Sequence, residues 1–109
     1  MKPGTIGDLA IRAACVELCV DEAEVRSGRR FKNVTLARQI AAYACRQAGR
    51  SWREVANEIG YRDHHASIGA CQAVERFIVC NSEARHLVRR VVAAVVSRPT
   101  PAEVRDAAE

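Results

Sequence analysis

A helix that opens at Arg62-Asp63-His64-His65 carries one face of small or hydrogen-bonding residues, His65, Ala66, Gly69, Gln72 and Ala73, with no carboxylate among them. These residue types suit contact with base edges. A major groove about 12 Å wide admits a single helix, so Ala66 and Gly69 permit close approach while His65 and Gln72 have the reach and polar atoms to hydrogen-bond to bases. The plainer reading of the same start is that Asp63 caps the helix and His64 packs against the preceding turn.

Other chemistries find less support. His64 and His65 are adjacent, so on a helix they point about 100° apart, which argues against a shared catalytic or metal task. No Ser/His/Asp order or pair of catalytic carboxylates stands out, and no glycine-rich run ends in Gly-Lys-Ser or Gly-Lys-Thr. The chain therefore reads as a non-enzyme that needs no cofactor and binds no nucleotide. Its cysteines, Cys15, Cys19, Cys45, Cys71 and Cys80, are odd in number and fall mostly at apolar positions of helical patterns, as reduced core thiols do. Cys15 and Cys19 can share one side of a helix, but no CxxC pair or second cluster completes a tetrahedral metal site.

Charge adds a second signal. The formal net charge is only +4, yet from Arg26 to Arg53 there are eight Arg or Lys residues and no Asp or Glu. A one-signed stretch creates a local positive field that attracts a polyanion; its alternative is a solvated basic face. The acids gather instead near Asp21 to Glu24 and in the C-terminal tail.

The elements that must position these residues are helical throughout. Leu9, Ala13, Val16 and Val20 recur at helical spacing, which predicts a first helix from about Ile6 to Cys19 with that stripe buried. Asp21 with Glu24 forms a capping box for a short second helix that Gly28 terminates. Arg29-Arg30-Phe31-Lys32-Asn33 follows as a basic loop. A third helix begins near Thr35, with Leu36, Ile40, Tyr43 and Ala44 inward and Arg38, Gln39 and Arg46 elsewhere, and ends at Gly49. Ser51 and Glu54 make another capping box, opening a helix of about ten residues with Val55 and Ile59 inside and Gly60 at its end.

After the turn Gly60-Tyr61-Arg62, Asp63 caps a longer helix whose stripe is Ile68, Cys71, Val74 and Ile78. Ser82 caps a last helix from about Glu83 to Val96, and a short terminal helix can start at Thr100-Pro101-Ala102-Glu103. Val91 to Val96 either closes the core, the reading preferred, or forms a dimer seam. With 109 residues, 49% of them apolar, and no repeat or linker, the expectation is one all-α domain over residues 1–109: a bundle of about six helices with its core at about 8–97 and a tail at 98–109. No apolar stretch is long enough to span a bilayer and no secretory h-region is present, so a cytoplasmic protein is expected. Two helices joined by a tight turn, the second bare of acids beyond its cap, satisfy the needs of a helix-turn-helix.

At this point the residues carry a family resemblance. Arg62-Asp63-His64, then Ala70-Cys71 and Glu75, resembles the signature of the C-terminal DNA-binding domain of bacterial replication initiators of the DnaA family. Upstream, Arg29-Arg30 with Lys32 and then Arg38-Gln39-Ile40-Ala41 resembles that family's basic loop and following helix. The likeness covers about residues 8 to 97 and implies a Trp-repressor-like helix-turn-helix that binds double-stranded DNA as a monomer.

It also implies a division of labour. Arg30 matches an arginine that enters the minor groove, where a narrow groove concentrates negative potential. Arg38, Gln39 and Arg46 match positions that hold phosphates and set register. Arg62, Asp63 and His64 match the start of the recognition helix, where Asp accepts from a cytosine amino group and His donates to a base acceptor. There are departures. Two threonines that usually follow that histidine and touch thymine methyls are here His65 and Ala66, so the preferred site can differ. Basic residues expected near Gln72 and Ala73 are absent, which removes phosphate contacts, and the turn before Ser51 is one residue shorter.

The leading expectation is a stand-alone, sequence-specific DNA binder at a DnaA-box-like or variant site, regulating transcription or replication initiation with partners from either machinery. A helical protein-interaction module and a non-specific architectural DNA binder are the alternatives.

Overall fold

The computed structural model describes residues 5–27 and 32–96, and within them six helices and no strand. They are α1 (Ile6–Leu18), α2 (Glu22–Arg26), α3 (Lys32–Gln47), α4 (Trp52–Ile59), α5 (His64–Cys80) and α6 (Ser82–Val96). No helix among the described residues is long and apolar enough to cross a membrane.

α3 is the axis of the bundle, and α1, α4, α5 and α6 all pack on it. Its inner face is Val34, Ala37, Ile40, Ala41, Ala42, Ala44 and Cys45. Mostly small side chains let four neighbours approach one helix closely, while Ile40, wholly buried, contributes about 1.5–3 kcal/mol by leaving water. α6 closes the remaining side through Ala84, Val88, Val91 and Val95, so the valine-rich end completes the core as preferred.

Local chemistry fixes most of the helix ends. Ser51 and Glu54 form the expected capping box, and Gly60 ends α4 in the left-handed region at φ 99°. Asp63 caps α5 by accepting from the Ala66 N–H at 3.0 Å. Thr5 and Asp8 make a further capping box at the start of α1. A carboxylate or hydroxyl there satisfies N–H groups that the first turn leaves without partners.

Several expectations need correction. The buried face of α1 is Gly7, Ala10, Ile11, Ala14 and Cys15, rotated from the expected stripe; Leu9 and Ala13 are half-buried and Val16 is 70% exposed. Tertiary contact decides this rotation. At the start of α1 the Gly7 N–H donates to Glu58 Oε1 of α4 at 2.8 Å, and a Cβ on Gly7 would collide with the Glu58 Cβ. α3 starts at Lys32, three residues before Thr35, so Lys32 and Asn33 belong to a helical turn and not to a loop. Asp21 caps α2 through the Ala23 N–H, two residues on.

α5 buries Ser67, Ala70, Cys71 and Val74, leaving Ile68 and Ile78 half-buried. Asn81, not Ser82, caps α6, accepting from the Glu83 and Ala84 N–H groups. Of the five free thiols, Cys15, Cys45 and Cys71 are core residues, whereas Cys19 and Cys80 are exposed. The termination of α2 at Gly28 and the helix expected from Thr100 lie outside the described residues.

Candidate nucleic-acid interface

α4 and α5 form the expected helix-turn-helix. Val55, Ala56 and Ile59 give α4 its buried face, and residues 60–63 make the turn into α5. Both the Gly60 and Tyr61 N–H groups donate to the Ala56 carbonyl oxygen at 2.9 Å, which draws the chain tightly around the end of α4. Tyr61 packs against the core, and burial pushes its phenol well above the usual range, so it is a neutral anchor for the turn.

The turn delivers Arg62, Asp63, His64 and His65 to the start of α5. Arg62 and Asp63 are exposed, His64 is half-buried and His65 is exposed. The rings of His64 and His65 lie 4.1 Å apart between centroids, tilted by 34°, so the expected divergence of the pair is corrected. Helical spacing separates the Cα–Cβ vectors, but at the first two positions of a helix no preceding turn confines the rings. No group of three His, Cys, Asp or Glu side chains among the described residues can hold a metal ion.

Along α5 the exposed surface runs through His65, Gly69 and Gln72, with Ala66 and Ala73 half-exposed. Gly69 has open space around it. This acid-free strip stops at Gln72, which shares a groove with the exposed Glu75 and with Arg76. The surface that can approach a polyanion is therefore the N-terminal half of α5.

Two clefts run along α5, one against its C-terminal half and one at its start. In one, Lys32, Thr35 and Gln39 of α3 face Ala73 and Phe77 of α5. In the other, Arg53 and Asn57 of α4 face Arg62, Asp63 and His64. Arg53 and Asn57 were not among the residues expected from the sequence. Their signal was present, since i and i+4 lie on one helix face and both are opposite the inward Val55 and Ile59.

The two other arginines expected to hold phosphates have internal partners. Arg38 donates to the Val25 carbonyl oxygen at 2.9 Å and ties α2 to α3. Arg46 donates to the Arg50 carbonyl oxygen at 2.9 Å, and its guanidinium lies 4.3 Å from the Trp52 ring centre. Arg29 and Arg30 lie outside the described residues.

Electrostatic asymmetry supports the same surface. Asp8, Glu17, Glu22, Glu54 and Glu58 are all engaged in ion pairs, on α1, α2 and α4, with Arg26, Arg90, Arg12 or Arg50. Hydrogen bonding from Arg26 holds the Asp8 carboxyl below its ordinary value, so it stays ionised and paired. Arg53 and Arg62, like Arg76 and Arg89 elsewhere, have no ion-pair partner among the described residues, and with the exposed Asp63 between Arg62 and His64 they leave one net positive charge at the start of the exposed strip.

Comparison with known proteins agrees with this geometry. A family described as bacterial dnaA protein helix-turn-helix matches residues 8–74. The chain is 36% identical over 83 residues to the chromosomal replication initiator protein DnaA of Sphingopyxis alaskensis, covering 75% of this chain and 18% of that protein. The DnaA of Thermodesulfovibrio yellowstonii is 28% identical over 100 residues, 91% of this chain and 22% of its own length. That of Lachnoclostridium phytofermentans is 32% identical over 72 residues, 65% and 16% respectively. The chain thus spans about a fifth of the length of these relatives. No solved structure matches it.

Proposed function

This chain belongs to the bacterial DnaA helix-turn-helix family, which makes it a DNA-binding domain, and we propose that it recognises a specific double-stranded site as a monomer. The observation that carries the reading is the acid-free N-terminal half of α5, presented by a tight turn beside Arg53 and Arg62, with Lys32 and Gln39 of α3 next to Ala73 further along the helix. Such a surface meets the two needs of sequence-specific recognition, charge to hold the backbone and polar tips to read base edges.

In this reading Arg62, Asp63 and His64 approach base edges at the start of α5. His65 and Ala66 take the next positions, where an imidazole and a methyl alter which bases are accepted. Gln72 lies at the far end of the strip. Lys32 and Gln39 hold phosphates from α3, and Arg46 does so with guanidinium donors beyond the one given to Arg50. Arg38, bonded to Val25, chiefly fixes the angle between α2 and α3. Arg30, by the family resemblance, is the candidate for the minor groove, with Arg29 next to it in sequence.

In this reading the domain occupies DnaA-box-like or variant sites in the cytoplasm, where it regulates transcription or acts on replication initiation. Footprinting of the folded protein on genomic DNA tests this. Discrete protected sites are the expected result, and the absence of any protected sequence would contradict it in favour of an architectural binder or a protein-interaction module.

A further inference from the structure

We propose that the groove where the ends of α3 and α5 meet α6 is a docking surface for an acidic amphipathic helix of a partner protein. This goes beyond the DNA-binding reading and does not depend on it.

The groove has a volume of about 390 Å³. One wall is α6, with Arg85, Arg89 and Val92 along a single face, and the other is made by Tyr43 of α3 and by Ile78 and Val79 of α5. Residues 85 to 92 cover two helical turns, about 10 Å, so the groove runs along α6. Its floor is the buried Val88, with Ile78 and Val92 half-buried beside it. Val79 is 76% exposed, the most exposed large hydrophobic side chain among the described residues. Apolar surface left in water is surface that a partner's apolar stripe can cover with a gain in free energy. A second cleft shares Val79 and continues the surface along α5 toward Gln72. An apolar trough of this length between helices suits an amphipathic helix, whose i, i+3, i+4 and i+7 side chains reach down one face.

Charge selects the partner. Arg85 and Arg89 are one turn apart on the exposed rim, and neither has an ion-pair partner among the described residues, whereas the neighbouring Arg90 is paired with Glu17. Arg85 donates to the Ile78 carbonyl oxygen at 3.4 Å, which lays its side chain across the groove. No carboxylate lines the groove. Glu75 and Arg76 stand together in the adjoining cleft and offset one another, and Glu83, two residues before Arg85, lies on the far side of α6. Burial, with a smaller push from Glu75, raises the Tyr43 phenol above its ordinary value, so Tyr43 is a neutral donor on the wall facing the arginines. Two positive charges and a hydroxyl around an apolar floor favour a helix whose apolar stripe is flanked by carboxylates and disfavour one flanked by lysines. Val79 follows His65 by fourteen residues, about 21 Å along α5, so the groove lies away from the proposed base-reading residues.

The test titrates the full, nitrogen-15-labelled chain with an 18-residue probe peptide that carries leucines at helical spacing flanked by glutamates, while backbone amide shifts are followed. Controls are the same peptide with lysine for every glutamate, a scrambled glutamate peptide, and a duplex of arbitrary sequence. The variants are Arg89→Gln, Arg85→Gln with Arg89→Gln, and Val79→Ser, all at exposed positions.

The acidic peptide is expected to move the amides of Val79, Arg85, Arg89 and Val92 while leaving those of Arg62 to Ala66 in place, with the lysine and scrambled peptides bound about tenfold more weakly. Arg89→Gln and Val79→Ser should each weaken binding about threefold and the double arginine variant about tenfold, as exposed ion pairs and a single exposed apolar contact allow. No movement of these amides at millimolar acidic peptide, equal binding of the lysine peptide, or equal binding by all variants would overturn the proposal. So would the duplex moving the same amides, which would assign the arginines to nucleic acid. Without peptide, shifts at these residues that grow with protein concentration would assign the groove to a second copy, and shifts on removal of residues 97–109 would assign it to the chain's own tail; either result overturns the proposal.

Discussion

At the residue scale, Asp63 separates two roles that its position confounds. It caps α5 through the Ala66 N–H, and in the proposed reading it also approaches base edges. Asp63→Ala removes both and is expected to cost about 1 kcal/mol of stability. Asp63→Ser keeps a good cap but loses the carboxylate that accepts from a cytosine amino group. The account predicts that the serine variant unfolds within a few tenths of a kcal/mol of wild type in urea, as caps of equal rank do, yet loses its preference at one base pair. Preserved preference in Asp63→Ser would reduce Asp63 to a cap. His64 and His65 belong to the same scale. Their 4.1 Å ring contact makes them one polar surface, so neither can be substituted without changing what its neighbour presents.

At the element scale, the packing of α1 on α4 adds to the hold that α3 and α6 have on the motif. Gly7 is the contact point, bonded to Glu58, which also sits 3.3 Å from Arg50 Nε. Gly7→Ala places a methyl against the Glu58 side chain, and overpacking of this kind costs about 1–3 kcal/mol, more than the helix propensity that alanine gains. A lower urea midpoint is expected, and an unchanged or higher one would contradict the contact. This contact also explains which parts of the fold were legible in the sequence. Caps and stops such as Ser51, Gly60 and Asp63 act within one turn, so residue type alone located them. The rotation of α1 was not legible, because apolar residues occupy most of its circumference and tertiary neighbours, Glu58, the small face of α3 and α6, select Ala10, Ile11 and Ala14 for burial. Likewise the exposed strip of α5 was readable from its lack of acids. The α4 contribution, Arg53 and Asn57, was not, since it depends on how two helices meet.

At the scale of the whole molecule, a core of alanine and valine that also buries thiols has a pH signature. Burial pushes the Cys45 thiol from 9.0 to about 12 and the Cys71 thiol from 9.0 to about 11, with Glu58 and Glu75 respectively adding to the rise. In the unfolded chain both thiols ionise near pH 9, so between pH 9 and about 12 the unfolded state holds fewer protons than the folded one, and stability falls as pH rises. Below pH 9 their contribution is constant. Urea midpoints should therefore be level in this respect up to about pH 8.5 and decline beyond pH 9, and the decline should be shallower in Cys45→Ala whatever its effect on the neutral-pH midpoint. An equal slope in that variant would contradict the role of the buried thiol.

The same bundle presents the acid-free N-terminal half of α5 beside Arg53 and Arg62, while Glu54 and Glu58 of α4 are paired with Arg50, and sequence-specific DNA binding is proposed on that arrangement. Selection of the pure protein against a randomised duplex library, followed by sequencing and by titration of the enriched site with Arg30→Ala and His64→Ala, tests it most directly. The account predicts one enriched motif, bound about tenfold or more weakly by each variant, as loss of a good base or groove contact requires. A library recovered without enrichment, or a motif bound equally by wild type and both variants, would contradict it.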